Sequence, residues 1–238
     1  MARYSLATHV FVCRDEDYIV VLDVREDRYF SLDAARTAAL TPFLTGWPAL
    51  ESGPGTNISP PLEDVVQPLL GQGWLLEGEA AGKDATPVSV VAPHAEVQDE
   101  IHGTRPKIDL RAVLAFFVAS VRAKVLMRIW SFERVIRRVA ARKAAAVVRG
   151  GPLVDIERAR QLMEVFGHLR VFLFSHREEC LRDSLAVLEF LAGYGVFPDW
   201  VFGVRARPFA AHCWVQHQGI VFNDTAERTG GYTPIMVV

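Results

Sequence analysis

The chain reads as an α+β protein in two parts, a short sheet-then-helix unit followed by a longer helix-then-sheet unit. Three observations predict this. β-branched and aromatic runs separated by acidic turns occupy residues 10–32. Between residues 109 and 192, apolar side chains recur at helical spacing. From Trp200 onward the period returns to that of strands. Helices first and an antiparallel sheet last is an α+β order.

The elements follow in turn. Val10–Cys13, Tyr18–Val24 and Arg28–Leu32 read as strands, with turns at Asp15-Glu16-Asp17 and Arg25-Glu26-Asp27. Asp33 is placed to cap a helix over 34–44. A Gly/Pro-rich loop covers 46–61, and a second helix is expected from Leu62 to about Gln72, stopped by Gly73. Trp74-Leu75-Leu76 closes this unit, taken as residues 1–80. Residues 81–108 are rich in Gly, Ala and Pro and read as a linker.

Residues 109–238 form the second unit. Asp109 is placed to cap a helix running to about Met127, another helix runs from Ser131 to about Val148, and Asp155–Phe166 is helical again. A fourth helix is expected from about Arg177 to Ala192, with Leu181, Leu185, Leu188 and Leu191 on one stripe. Strands are expected near 200–206, 211–217, 219–223 and 232–237. Leu110–Met127 is the most apolar segment, but Arg111, Arg122 and Lys124 interrupt it. Its uncharged run, 112–121, is about half of a bilayer span, so it reads as a buried helix.

The net charge of −2 points to no polyanionic partner. Three cysteines, at 13, 180 and 213, make no disulfide framework and suit a reducing cytoplasm. The first residues lack the apolar stretch of a signal peptide. With no CxxC pattern, neither a metal nor another cofactor is expected. Between Arg122 and Arg149 stand nine basic residues and one acid, Glu133. Without interleaved aromatics this is no nucleic-acid surface; it reads as a solvated helix face or a docking patch.

The chemistry concentrates in the last sixty residues. Cys180 sits near the start of its helix, where backbone N–H groups and the helix dipole favour a thiolate. His212 lies in a strand, and Asp224 ends the next one. A hairpin about Gln218-Gly219 is expected to bring His212 and Asp224 nearly opposite each other. Thiol, base and orienting acid in this order are the parts of nucleophilic acyl chemistry. Taken singly, each has a plainer reading: a buried cysteine, a structural histidine, a turn aspartate. Cys213 is a rival nucleophile, expected to face the core on the side opposite His212. His217, His176 and His168 are alternative bases.

Four motifs resemble those of the transglutaminase-like cysteine protease of lasso peptide biosynthesis, which has a papain-like α+β fold. They are Cys180-Leu181-Arg182-Asp183-Ser184-Leu185, His212-Cys213-Trp214-Val215, Gly219-Ile220-Val221-Phe222-Asn223-Asp224 and Tyr232-Thr233-Pro234-Ile235. The family places Arg, Ala and Leu where this chain has Asp183, Cys213 and Phe222. The N-terminal unit resembles the small winged-helix-like domain that recognises leader peptides, first known from pyrroloquinoline quinone biosynthesis.

The resemblance implies a leader peptidase with Cys180, His212 and Asp224 as its catalytic triad. Its partners would be the precursor's leader and an asparagine-synthetase-like, ATP-dependent macrolactam cyclase. The leader would add a strand beside Arg28, Tyr29, Phe30, Ser31 and Leu32, against a helix presenting Val66, Leu69 and Leu70. The backbone N–H of Cys180 and the side chain of Gln161 are the oxyanion candidates. A transglutaminase-type acyl transferase and a non-catalytic precursor carrier are the alternatives.

Overall fold

The computed structural model describes residues 4–50, 60–78, 81–97, 108–150, 153–170 and 180–238. The chain is α+β, as expected. It divides into one unit of Met1–Ser89, Gly203–Ala211 and Thr233–Met236, and another of Val90–Phe202, His212–Tyr232 and Val237–Val238.

In the first unit, β1 (Tyr4–Leu6) is a strand that the sequence pattern did not announce. A three-stranded antiparallel sheet follows, formed by β2 (Val10–Asp15), β3 (Tyr18–Asp23) and β4 (Arg28–Leu32) in the order β2-β3-β4. The β3–β4 turn is built by Asp23, whose carboxylate accepts the backbone N–H groups of Arg25 and Glu26. Its other oxygen accepts the indole N–H of buried Trp74 at 2.8 Å. α1 (Ala34–Leu40) is capped by Asp33 as the sequence predicts, but ends in a 3₁₀ turn at Thr41–Phe43. α2 (Leu62–Gly71) stops before Gly73, whose φ of +69° suits glycine. β5 (Leu75–Glu77) pairs antiparallel with β1. The core gathers Val10, Val12, Ile19, Val21, Leu32 and Leu40 with residues of α2.

Within 81–108 the described residues 81–97 include a bridge between Lys83 and Leu6 and a short strand, β6 (Ala95–Glu96). In the second unit, α3 (Leu110–Ile129), α4 (Phe132–Val148) and α5 (Ile156–Arg170) precede α6 (Cys180–Ala192). Asp109 and Ser131 cap the first two, accepting the N–H groups of Ala112 and Arg134. Residues 177–179, expected to open the Cys180 helix, and His176 lie outside the described residues. α6 is buried from Asp183 to Leu191 on every side, not along one stripe. Ala112, Ala119 and Ala123 let α3 approach it closely, and Phe116, Phe166 and Phe190 join α3, α5 and α6, the first pair edge to face and the second tilted. The expectation that α3 is buried holds for one face only; Leu110, Val121 and Ile129 are exposed.

A five-stranded sheet runs in the order β10-β7-β8-β9-β6, with β7 (Asp199–Arg205), β8 (Ala210–His217), β9 (Ile220–Val221) and β10 (Thr233–Val237). Between β9 and β10 lies α7 (Ala226–Gly230), a turn of helix capped by Thr225 that the sequence pattern did not show. β8 and β9 pair with Gln216 opposite Val221 and His217 opposite Ile220. The loop is Gln218-Gly219, with φ of +49° and +82° at the two positions. Two positive φ values make the two-residue hairpin turn. A Cβ at Gly219 would stand 2.3 Å from the His94 ring and 2.7 Å from the carbonyl oxygen of Ala92, so only glycine fits.

The basic run on α3 and α4 is largely answered from within the unit. Glu189 of α6, its side chain 1% exposed, takes Arg142 at 2.7 Å, Arg122 at 3.3 Å and Arg138 at 3.5 Å. Arg137 pairs with Glu133 one turn away, and Lys143 pairs with Asp199. Arg134 and Arg138 lie over the Trp130 ring. Removing Glu189 takes the shared acceptor from three partly exposed guanidinium groups. Glu189→Ala should therefore lower the unfolding free energy by about 1–3 kcal/mol in urea titrations. A change under about 1 kcal/mol would show that the three arginines are held by solvent instead.

Candidate active site

α6 and the β8–β9 hairpin carry the three residues singled out from the sequence, and the structure brings them together. Cys180 opens α6 as described and is half-buried. His212 is buried on β8, and its Nε2 lies 2.6 Å from Oδ2 of Asp224. With Nε2 so committed, Nδ1 is the nitrogen left for the thiol, and Cys180 and His212 each favour the charged form of the other. The imidazole stacks near Trp214, two residues on along β8, and packs against Tyr232.

The route by which Asp224 reaches His212 differs from the expected hairpin. With Gln216 opposite Val221, a regular ladder would set Asp224 opposite Cys213, on the face away from His212. The ladder breaks after Val221. The N–H of Phe222 still donates to the Val215 carbonyl at 2.9 Å, but the N–H of Val215 donates to Oδ1 of Asn223 at 2.8 Å. The Asn223 side chain thus replaces a backbone acceptor, and the ladder ends there. This explains why β9 ends at Val221 instead of Phe222 or Asn223. The Asn223 amide donates in turn to Ser184 Oγ at 3.0 Å and Asp183 Oδ2 at 3.1 Å, both on α6. Asp224 is left on the His212 side. It is held there by the N–H of Thr225 at 2.8 Å and by Arg228 at 3.7 Å.

The electrostatics follow from these contacts. The Cys180 thiol is pushed down to about 4. The main cause is hydrogen bonding from the Cys213 thiol; burial opposes it, and His212 and the Cys213 N–H add to it. Burial alone would lower the His212 pKa, but the hydrogen bonds to Asp224 and Cys180 and their charges raise it to about 9. Burial would raise the Asp224 carboxyl, yet hydrogen bonds from His212 and Thr225 hold it below its usual range. A thiolate beside an imidazolium is therefore the state between about pH 4 and 9. Asp183 is raised by burial, which Arg170 at 3.1 Å and Asn223 offset only in part.

Cys213 is buried on the face opposite His212, as alternation predicts, and burial pushes its thiol well up. Yet it is no remote core residue. Its carbonyl accepts from Ser184 Oγ, its thiol lies 3.8 Å from that oxygen, and it is a donor to Cys180. His217 is half-buried at the hairpin end, and His168 is exposed and bonded to the Glu164 carbonyl. Gln161 is exposed on α5, and no contact among the described residues links it to Cys180. Sequence reading missed Ser184, Asn223 and Tyr232 as parts of the site. Asn223 had a signal in its place directly before Asp224; the other two had none beyond motif membership.

The residues expected to hold a peptide lie in the first unit. β4 has one strand neighbour among the described residues. Arg28, Phe30 and Ser31 are exposed, and Tyr29 is half-buried. Phe30 packs edge-on against Trp74 at 4.5 Å. Leu32, Val66 and Leu69 are buried in the core, with Leu70 at its margin.

Residues 119–237, half of the chain, match the family model described as the transglutaminase-like superfamily. The chain belongs to that superfamily. Its cysteine proteases and acyltransferases share the transglutaminase-like domain, and here the matched span contains Cys180, His212 and Asp224. No curated protein and no solved structure matches the chain.

The thiolate predicts a reactivity profile. Site-resolved iodoacetamide labelling should modify Cys180 with a midpoint near pH 4, far below Cys13 and Cys213. Cys213→Ala, which removes one donor to the sulfur, should move that midpoint up by roughly one to two pH units. A wild-type midpoint near that of a free thiol, about 8.5, would rule out the ion pair.

Proposed function

We propose that the chain is the leader peptidase of a lasso peptide pathway, cutting a ribosomally made precursor between leader and core. The observation that carries this reading is the thiolate–imidazolium–carboxylate set inside a transglutaminase-like domain. The motifs around Cys180, His212, Asp224 and Tyr232 support the lasso assignment over other members.

In this mechanism the Cys180 thiolate attacks the scissile carbonyl carbon. The tetrahedral oxyanion takes the backbone N–H of Cys180 as a donor. The imidazolium of His212 gives its proton to the leaving amine, which departs as the free N-terminus of the core. The neutral imidazole then takes a proton from water as that water attacks the thioester, releasing the leader as a carboxylic acid and restoring the thiolate–imidazolium pair. Asp224 holds the imidazole through Nε2 and stabilises its charged form. No metal or other cofactor enters these steps.

Residues 1–80 serve in this reading as the leader-recognition domain, joined through 81–108 to the catalytic domain at 109–238. The leader adds a strand to β4, and exposed Phe30 offers it an apolar contact. The buried state of Val66 and Leu69 leaves Leu70 as the α2 side chain of that set best able to meet a ligand. The core passes to an ATP-dependent, asparagine-synthetase-like cyclase in the same cytoplasm, with no part for nucleic acid.

The test is mass spectrometry of the precursor incubated with wild-type protein and Cys180→Ala, with and without cyclase and ATP. Wild type should release free leader acid at one bond, and the variant should lose at least about a thousandfold in rate. A leader amide in place of the acid would favour acyl transfer to an amine. Equal maturation by both proteins would reduce the chain to a carrier.

A further inference from the structure

α3 is apolar on both sides, and among the described residues only one side has a partner. Leu110, Leu114, Val118, Val121, Val125 and Ile129 recur at intervals of four and three along its outer face, with Phe117 beside them. All are exposed, Leu110 at 74%, Val121 at 60% and Ile129 at 70%. At 1.5 Å per residue the stripe runs for about 30 Å. A helix apolar all round is ordinarily covered all round, and contiguous apolar patches of this extent mark interaction surfaces.

The surroundings of the stripe say what covers it. At 100° per residue, Lys124 falls on one edge, Arg111 and Arg122 on the other, and Arg128 within its last turn. The helix contains no acid; Asp109 caps its first turn. Arg122 shares Glu189 with two other arginines, and Arg111 lies over the Tyr194 ring. A second copy of the chain would set Arg128 against Arg128 or against Leu110, with no acid on the face to answer it. A protein partner would meet a stripe in which Arg128 alone offers a hydrogen-bonding side chain, whereas protein interfaces carry about one hydrogen bond per 100–200 Å². An aliphatic stripe flanked by cations, whose stems cover apolar surface while their heads reach outward, fits a bilayer interface with anionic headgroups. Among the described residues no helix is long and apolar enough to cross a membrane, so the mode is lying on the surface.

We propose that the outer face of α3 docks the protein on an anionic lipid surface, with the apolar stripe in the headgroup–acyl boundary and Lys124 and Arg128 on the headgroups.

The experiment is flotation of the full chain with vesicles of phosphatidylcholine alone and of phosphatidylcholine with phosphatidylglycerol, alongside light scattering. Wild type should float with the anionic vesicles, and less as salt rises. Val121→Asp should cut the bound fraction at least about tenfold, because it puts a charge into the stripe. Lys124→Glu should cut it several-fold on anionic vesicles. Val121 and Lys124 are exposed, and unchanged circular dichroism and Cys180 labelling would show that both variants fold. The proposal is overturned by wild type staying off the anionic vesicles, by equal flotation with neutral ones, or by flotation that Val121→Asp leaves intact. It is also overturned by a wild-type dimer that Val121→Asp splits, which would assign the face to a second copy.

Discussion

The site depends on one side chain that does no chemistry. Asn223 accepts the N–H of Val215 on the sheet and donates to Ser184 and Asp183 on α6. The first bond ends the β8–β9 ladder and moves the following residue to the other face. The second and third tie that break to the helix that carries Cys180. Without the break, the hairpin register would put Asp224 beside Cys213, and His212 would have no carboxylate. A neutral amide suits the task because it must both accept and donate, and an aspartate could do only the first when ionised.

Everything else at the site follows from that placement. Asp224 makes His212 a cation, and the cation helps keep Cys180 a thiolate. Cys213 joins from the opposite strand face, donating through both its N–H and its thiol. The helix beneath is rigid because it is buried throughout. Its buried carboxylate Glu189 is compensated by three arginines drawn from α3 and α4. The basic run on those helices therefore serves packing in part.

Much of this was legible in the sequence, and the rest was not, for definable reasons. Residue type and period sufficed for the helices from Leu110 to Ala192 and for the strands near β7, β8 and β10. The juxtaposition of Cys180, His212 and Asp224 followed from their order on those elements. The side on which Asp224 falls did not, because the end of the ladder is set by a side-chain bond that leaves no periodic trace. Nothing in the sequence marks Glu189 for burial among arginines, because those arginines are 67, 51 and 47 positions away. β1 and β5 pair across most of the first unit, and two-residue β6 is too short for any alternation to be read. The apolar character of α3 was plain, but apolar residues say only that a face needs covering, and the sequence could not say that one face is left open.

The central claim is that Asn223 aims Asp224 at His212 and thereby sets the charge of the site. It is tested most directly by following the His212 ring through a pH titration by NMR, in wild type and in Asn223→Ala. The account predicts that the wild-type imidazolium persists to about pH 9. In the variant, it should lose its proton at a clearly lower pH, because the carboxylate that helps hold that proton has turned away and only Cys180 still opposes the effect of burial. Identical titrations in the two proteins would contradict the account and leave Asp224 positioned by something other than the break at Asn223.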